Sequence, residues 1–512
     1  MSLFTLTRDS DPSVTLDRLR DRFPLQLLES SKARVTYIDT FDWRLMDGGL
    51  TLTASPRGRS KLLTLTSDQG RALELRTQRV PAFAKELEDG PFQTLLRSRS
   101  KVRRLFPKAQ ARWAYQLWAI LNADEKTVAR IVVRQGSASV PGEGTPLIVP
   151  AQLRLLRLKG YDSQYRKVGA ALRAAGASRN KSGNELGEIL GALGREPERH
   201  SSSTVLPLDP GIRADEACKI IHRELLTTMK VNLEGVQKDW DSEFLHEFRV
   251  AGRRARSALS QIKGVFPEET VSHFGEELRW LGSRTGPSRD MDVYLLKIPA
   301  YQDALPERVR DELVPLVHFL KKKKRMAHRS LIRSLNSKRF AVFLEDWSEF
   351  LDGSEPASPR PRNAGRSVDA VASERILTVY RKILKKGGKI GWKTPPEALH
   401  EVRLDCKKLR YLMSFFQTLF PPESLEGLIK ELKKLQENLG DFNDLQVQTQ
   451  ALRSFADEML EQGVGPPATL MAMGQLMGQL ETQVEIERRA FHQRFQTFAR
   501  KGNRRRFGEL FG

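Results

Sequence analysis

A twelve-residue phrase that the chain writes twice constrains its fold more than any other feature. The first copy is Leu245-His246-Glu247-Phe248-Arg249-Val250-Ala251-Gly252-Arg253-Arg254-Ala255-Arg256. The second is Leu399-His400-Glu401-Val402-Arg403-Leu404-Asp405-Cys406-Lys407-Lys408-Leu409-Arg410. The offset, 400 − 246 = 154, does not drift: Phe266-Pro267 falls on Phe420-Pro421, Gly286 on Gly440, Asp290 on Asp444 and Val293 on Val447. An ungapped match of this length marks an internal duplication, so the chain has to build one unit twice.

At about 100° per residue on a helix, His246, Arg249, Arg253 and Arg256 fall on one stripe and Arg254 flanks it. Phe248, Ala255, Leu259 and Ile262 share roughly the opposite side, where a core-facing stripe belongs. The second copy repeats the pattern with His400, Arg403, Lys407 and Arg410 on the stripe and Lys408 beside it. Few acidic residues lie at i±4 within either stripe, so the charge is not neutralised locally. Two such faces brought together predict a polyanion as ligand. Arg381, Lys382 and Lys385, just upstream of the second phrase, and Lys433 downstream are further candidates to line the groove. Lys321-Lys322-Lys323-Lys324-Arg325 spirals around a helix and reads as solvated surface.

The chain-wide balance agrees: 512 residues carry a formal net charge of +22. That excess favours an acidic polymer or surface without choosing among them. Cys218 and Cys406 are the two cysteines, so there is no disulfide framework. No apolar run of about 18 residues and no signal-peptide core occurs, which predicts a soluble cytoplasmic protein with no membrane partner. Asp290 and Asp292 invite a metal reading. Gln446 stands where the second repeat would need the partner of Asp444, so capping or a salt bridge is expected instead. No other metal spacing, nucleotide loop or nucleophile elbow is present, so no cofactor, metal or catalytic residue is expected in the helical part.

The pattern His-x-x-Arg-x-x-x-(Arg/Lys)-(Arg/Lys)-x-x-Arg, twice in a helical chain, resembles the CHAD domain, the conserved histidine α-helical domain. Arg289-Asp290-Met291-Asp292-Val293 and Leu435 to Asp444 extend the likeness, which covers about residues 212–512. The resemblance implies two helical bundles related by a pseudo-twofold, a basic central surface and binding of inorganic polyphosphate, with a place at polyphosphate granules. On that reading His246, Arg249, Arg253, Arg254, Arg256, His400, Arg403, Lys407, Lys408, Arg410, Arg381, Lys382, Lys385 and Lys433 contact polyphosphate.

The first third reads differently. Leu3–Thr7, Leu50–Thr53, Leu63–Thr66, Leu73–Arg76 and Ala129–Arg134 alternate with period two, which predicts half-buried strands, and Pro12–Leu28 reads as a helix. The stretch from Tyr37 to Leu52, with Leu155 to Asp162, resembles the CYTH domain of triphosphate tunnel metalloenzymes. Active members open with Glu-x-Glu-x-Lys, whereas this first strand has Leu3-Phe4-Thr5-Leu6-Thr7, and Thr51, Thr53, Thr64 and Thr66 stand where cations are usual. Hydroxyls cannot replace metal ligands, so a degenerate, non-catalytic domain is expected.

The expected architecture is an α+β domain with an antiparallel, tunnel-like sheet (1–195), a linker (196–211), helical repeat 1 (212–351), a second linker (352–366) and helical repeat 2 (367–512). Helix breaks are expected between 286 and 289, at Pro299, and between 440 and 443. The leading expectation is a non-enzymatic polyphosphate binder. A metal-dependent tripolyphosphatase in the N-terminal domain and a non-specific RNA or DNA binder are the alternatives. Oligomeric state is left open.

Overall fold

Apolar side chains alternate with hydroxyls along Leu50–Ser67, and there the chain builds a hairpin of two eight-residue strands inside a larger antiparallel sheet. The structure, a computed structural model, describes residues 2–7, 10–180, 185–197, 205–353, 360–391 and 393–512. Parts of both expected linkers, residues 198–204 and 354–359, lie outside the described residues. The chain divides into two units, Met1–Arg199 and His200–Gly512.

The first unit runs β1 (Ser2–Thr5), α1 (Pro12–Arg20), β2 (Leu25–Thr40), α2 (Arg44–Asp47), β3 (Leu50–Arg57), β4 (Ser60–Ser67) and β5 (Ala72–Thr77). It continues with α3 (Pro91–Ser100), β6 (Leu105–Leu121), β7 (Thr127–Ser139), β8 (Leu147–Arg157), α4 (Asp162–Ala174), β9 (Ser178–Asn180) and α5 (Glu185–Ala192). The nine strands make one antiparallel sheet in the order β5-β4-β3-β2-β6-β7-β8-β1-β9. The helix expected over Pro12–Leu28 stops at Arg20. Pro24 disfavours helical geometry at the residue before it, and from Leu25 onward the chain pairs with β6 from Leu25↔Ile120 to Thr40↔Leu105.

The second unit is helical: α6 (Ala214–Gln237), α7 (Ser242–Gln261), α8 (Glu268–Ala304), α9 (Val314–Leu335) and α10 (Lys338–Asp352). These are followed by α11 (Val368–Gly387), α12 (Pro396–Phe415), α13 (Pro422–Glu461), α14 (Pro467–Ala499) and α15 (Lys501–Phe511). Five helices are thus followed by five in matching order, with the two phrases on α7 and α12. Asp241 caps α7 by accepting from the amides of Glu243 and Phe244.

The breaks expected near 286–289 and 440–443 are absent. α8 is one helix of 37 residues with Pro287 and Pro299 inside it, and α13 is one of 40. A proline inside a helix costs about 3 kcal/mol or more. The row Phe274, Leu278, Leu281, Met291, Tyr294, Ile298 and Tyr301 is buried at helical spacing across both prolines. At roughly 1.5–3 kcal/mol per large apolar side chain, that burial outweighs two prolines. The same helices share a core, in which Met291, Tyr294, Leu316 and Phe319 pack with Leu452, Phe455 and Met473. The two repeats are therefore welded into one body.

Candidate functional site

α7 packs against α12, so the two phrases meet. Arg253 Nε donates to the Tyr411 hydroxyl at 3.1 Å. Arg254 Nη2 donates to Ser414 Oγ at 3.1 Å, with its guanidinium 4.8 Å from the centre of the Phe415 ring. Arg253 also lies close enough to Lys407, its own counterpart 154 residues on, to depress its proton affinity. Counterparts meet where a duplicated structure has its local axis.

Around this point cations gather faster than anions. Burial, then the neighbouring Arg403 and Arg253, push the Lys407 ammonium down to about 8, with Asp444 offsetting part of the effect and Arg410 adding to it. Burial lowers Arg249, with Arg253 and Arg289 adding to it against Asp290. Burial and the neighbouring Arg279 and Arg253 lower Arg256. Burial, and then Arg289, also lower His246. Groups that hold their protons less tightly than usual because they are buried, and then because cations crowd them, are groups whose charged form an added anion would favour.

Several of these side chains are held in place. Arg249 Nη1 donates to the Gly282 carbonyl at 2.9 Å and to Thr285 Oγ1 at 2.6 Å, one turn before Pro287. Arg289 Nη1 donates to the Ser242 carbonyl at 3.1 Å. In the second repeat Arg403 pairs with Asp444 at 3.0 Å, and His400 Nδ1 lies 2.7 Å from Asn443 Oδ1. Arg253, Arg256, Arg410 and His400 are exposed, while His246, Arg249, Arg403 and Lys407 are half-buried.

Arg254, Lys382 and Lys408, also expected on this surface, are engaged elsewhere. Arg254 is 6% exposed and packs α7 against α12 instead of joining the open stripe; burial lowers its guanidinium to about 10. Lys382 and Lys408 converge with Lys386 on the buried carboxylate of Asp405 at 3.4, 3.0 and 3.1 Å. They serve as its counter-charges. Arg381 and Lys385 are exposed on α11, with no ion pair or hydrogen bond to any described residue. Lys433 is exposed on α13, 3.8 Å from Glu437.

Two contributors fall outside the expected set, Arg279 and Arg289 of α8. The duplication could have flagged Arg279, because it falls on Lys433 at the constant offset. Arg289 carries no such signal, since its counterpart is Asn443. Within the basic run, Lys324 pairs with Asp292 at 2.8 Å, so that aspartate is a structural partner. Among the described residues no cluster of three or more His, Cys, Asp or Glu could hold a metal, and no helix is long and apolar enough to cross a membrane.

Comparison with known proteins matches residues 220–453 to the CHAD domain family. The helical unit carries a CHAD domain. Two curated relatives, the uncharacterized proteins MT2285 and Rv2226 of Mycobacterium tuberculosis, are each 26% identical over 272 residues, 53% of this chain and 50% of theirs. The chain spans about half the length of the curated relatives it matches. The solved CHAD domain from the plant Ricinus communis is 23% identical and covers 57% of this chain and 95% of its own, at a TM-score of 0.46. PptA from Streptomyces chartreusis is 16% identical and covers 56% and 100%, at 0.45. The CHAD match includes α7, α12 and the cations of α8.

The unit preceding the CHAD domain has a cleft of its own, about 840 Å³, lined by Thr51, Thr53, Thr64, Thr66, Arg134 and Arg154 among others. Strands from both ends of the sheet order contribute to it, so the sheet curls around it. Lys32, Arg57 and Arg179 line it too. Glu185 of α5 pairs with Arg134 at 2.7 Å and with Arg154 at 3.6 Å. Thr5 of β1 donates to Glu188 at 3.0 Å.

Proposed function

We propose that the CHAD-containing unit binds inorganic polyphosphate across the surface formed by α7, α12 and α8, without hydrolysing it, and that this holds the protein at polyphosphate granules in the cytoplasm. The observation that carries the reading is the meeting of Arg253 with Lys407, with Arg403 and Arg410 acting on the lysine and Arg249 and Arg256 neighbouring Arg253. A linear chain of phosphates offers a charge at every few ångströms. Guanidiniums spaced along two helices can meet successive phosphates bidentately without reading any other feature.

Polyphosphate is favoured over single-stranded nucleic acid by what the local aromatics do. Tyr411 and Phe415 are 6% and 3% exposed and pack beneath Arg253 and Arg254, so they offer no stacking platform for bases. A binding role is favoured over tripolyphosphate hydrolysis in the first unit because Thr51, Thr53, Thr64 and Thr66 line its cleft, where Arg134 and Arg154 are both paired with Glu185. Competition between long-chain polyphosphate and single-stranded RNA at fixed salt tests the reading. Polyphosphate should displace RNA at much lower phosphate concentration, with no phosphate released from tripolyphosphate in Mg²⁺ or Mn²⁺. Equal displacement by RNA would overturn it.

A further inference from the structure

Lys407 differs from the paired lysines of the helical unit, and from the unpaired Lys385 in being half-buried. Lys382, Lys386 and Lys408 are tied to Asp405, and Lys324 to Asp292. Lys407 makes no hydrogen bond or ion pair with any described residue, is half-buried, and stands among guanidiniums from two helices. The charged groups that act on it are Arg403 and Arg410 of α12, Arg253 of α7 and, with opposite sign, Asp444 of α13. Two of those guanidiniums are anchored, Arg253 on the Tyr411 hydroxyl and Arg403 on Asp444.

We propose that Lys407 is a modification site for acyl phosphates, which dock their phosphate on Arg253, Arg403 and Arg410 and acylate the lysine without a second enzyme. The Lys407 Nζ lone pair attacks the carbonyl carbon, forming the C–N bond of an amide. The bond between that carbon and the bridging oxygen breaks, inorganic phosphate leaves with the electron pair, and the proton lost by the amine ends on the phosphate. The guanidiniums carry the charge of the leaving phosphate, so the amine is not required to, and docking replaces a bimolecular encounter with a positioned one. The amine is also ready. Before an anion docks, burial and the surrounding arginines hold its proton affinity at about 8, well below that of an ordinary lysine; the docked phosphate offsets part of that shift. Acylation removes the central cation, so it would lower affinity for polyphosphate. The proposal rests on the anion-binding reading of this surface, though not on polyphosphate being its ligand.

The test incubates the full chain with acetyl phosphate at pH 7.5 and follows each lysine by peptide mass spectrometry. Lys407 should be acetylated at least tenfold faster than the exposed Lys385 and Lys433. Inorganic pyrophosphate should suppress that excess, and Arg410→Gln, an exposed position, should slow Lys407 several-fold while leaving Lys385 unchanged. Acetic anhydride, which has no phosphate to dock, should show a smaller preference that pyrophosphate leaves unaltered. Acetylation of Lys407 no faster than Lys385, or insensitive to pyrophosphate, overturns the proposal. Polyphosphate binding by the unmodified chain is measured separately. Selective acetylation without polyphosphate binding would then sink only the proposed function, and the reverse only this inference.

Discussion

Replacing Lys407 by glutamine should make the protein more stable and a poorer binder. In the folded chain the lysine's proton affinity drops from 10.5 to about 8 because of burial and the arginines around it. Each tenfold drop is worth ~1.4 kcal/mol, so the charged form strains the fold by an upper figure of about 3 kcal/mol. The side chain is only partly buried, and water and salt screen it, which leaves roughly 1–2 kcal/mol. For a base whose folded value is depressed, this cost is fully present below about pH 8 and vanishes above about 10.5. Wild type should therefore gain on Lys407→Gln as pH rises through that window. The assay is thermal unfolding followed by helical ellipticity, in low salt, at pH 7 and pH 10. Lys407→Gln should melt about 1.5–3 °C above wild type at pH 7, and the gap should narrow at pH 10. The same variant should bind polyphosphate more weakly. A variant that melts lower than wild type at pH 7, or binds equally well, would refute the account of a crowded cation kept for its ligand.

Further outcomes follow from the same geometry. With six to eight cations engaged, log affinity against log salt should fall with a slope of roughly −4 to −6, borrowing the single-strand coefficient of about −0.7 per contact; fluorescence titration between 50 and 200 mM salt measures it, and a slope shallower than about −2 would mean that few of them take part. Arg254→Ala should cost about 2–3 kcal/mol in urea unfolding, since it strips a buried guanidinium from between α7 and α12, whereas exposed Arg256→Gln should change stability by less than about 0.5 kcal/mol and still weaken binding. Burial pushes the Asp405 carboxyl up, but the hydrogen bonds from Lys408 and Lys386 prevail and hold it below its ordinary value. It therefore stabilises the fold above the unfolded value and loses that contribution as pH falls through the lower folded one. Asp405→Asn should cost about 3 kcal/mol at pH 7 and converge with wild type in strong acid, as read by urea midpoints. Burial and Arg289 disfavour the charged form of His246, and a bound anion favours it, so affinity should tighten as pH falls and His246→Asn should flatten that rise. Isothermal titration across pH 5.5–7.5 decides it.

The parts of the fold governed by local period were legible in the sequence. The stripes of α7 and α12, the buried Phe248, Ala255 and Leu259 behind them, and the alternating hairpin β3–β4 all follow from spacing alone. The rest depended on partners far along the chain. Leu25–Thr40 has no helix-breaking pattern after Pro24 and declares itself a strand only through its pairing with β6. Gly286-Pro287 reads as a helix end until the row from Phe274 to Tyr301 is seen buried on both sides of it. Site residues divide the same way. The sequence places Lys382 on a basic face but cannot show that its nearest acid is Asp405, one helix later. Arg254 looks like a neighbour of the stripe until Phe415 and Ser414 are found beneath it. Arg289 enters because α8 continues past the expected break.

Joining two copies in one polypeptide freed the halves to differ where they touch. A symmetric pair of separate chains would have to place the same residue on both sides of its axis: two arginines, which never discharge, or two lysines, which would discharge together. Here arginine at 253 stands beside lysine at 407. The centre of the surface can thus lose a single unit of charge near pH 8, by deprotonation or by a covalent cap, while its fixed neighbours keep the remainder.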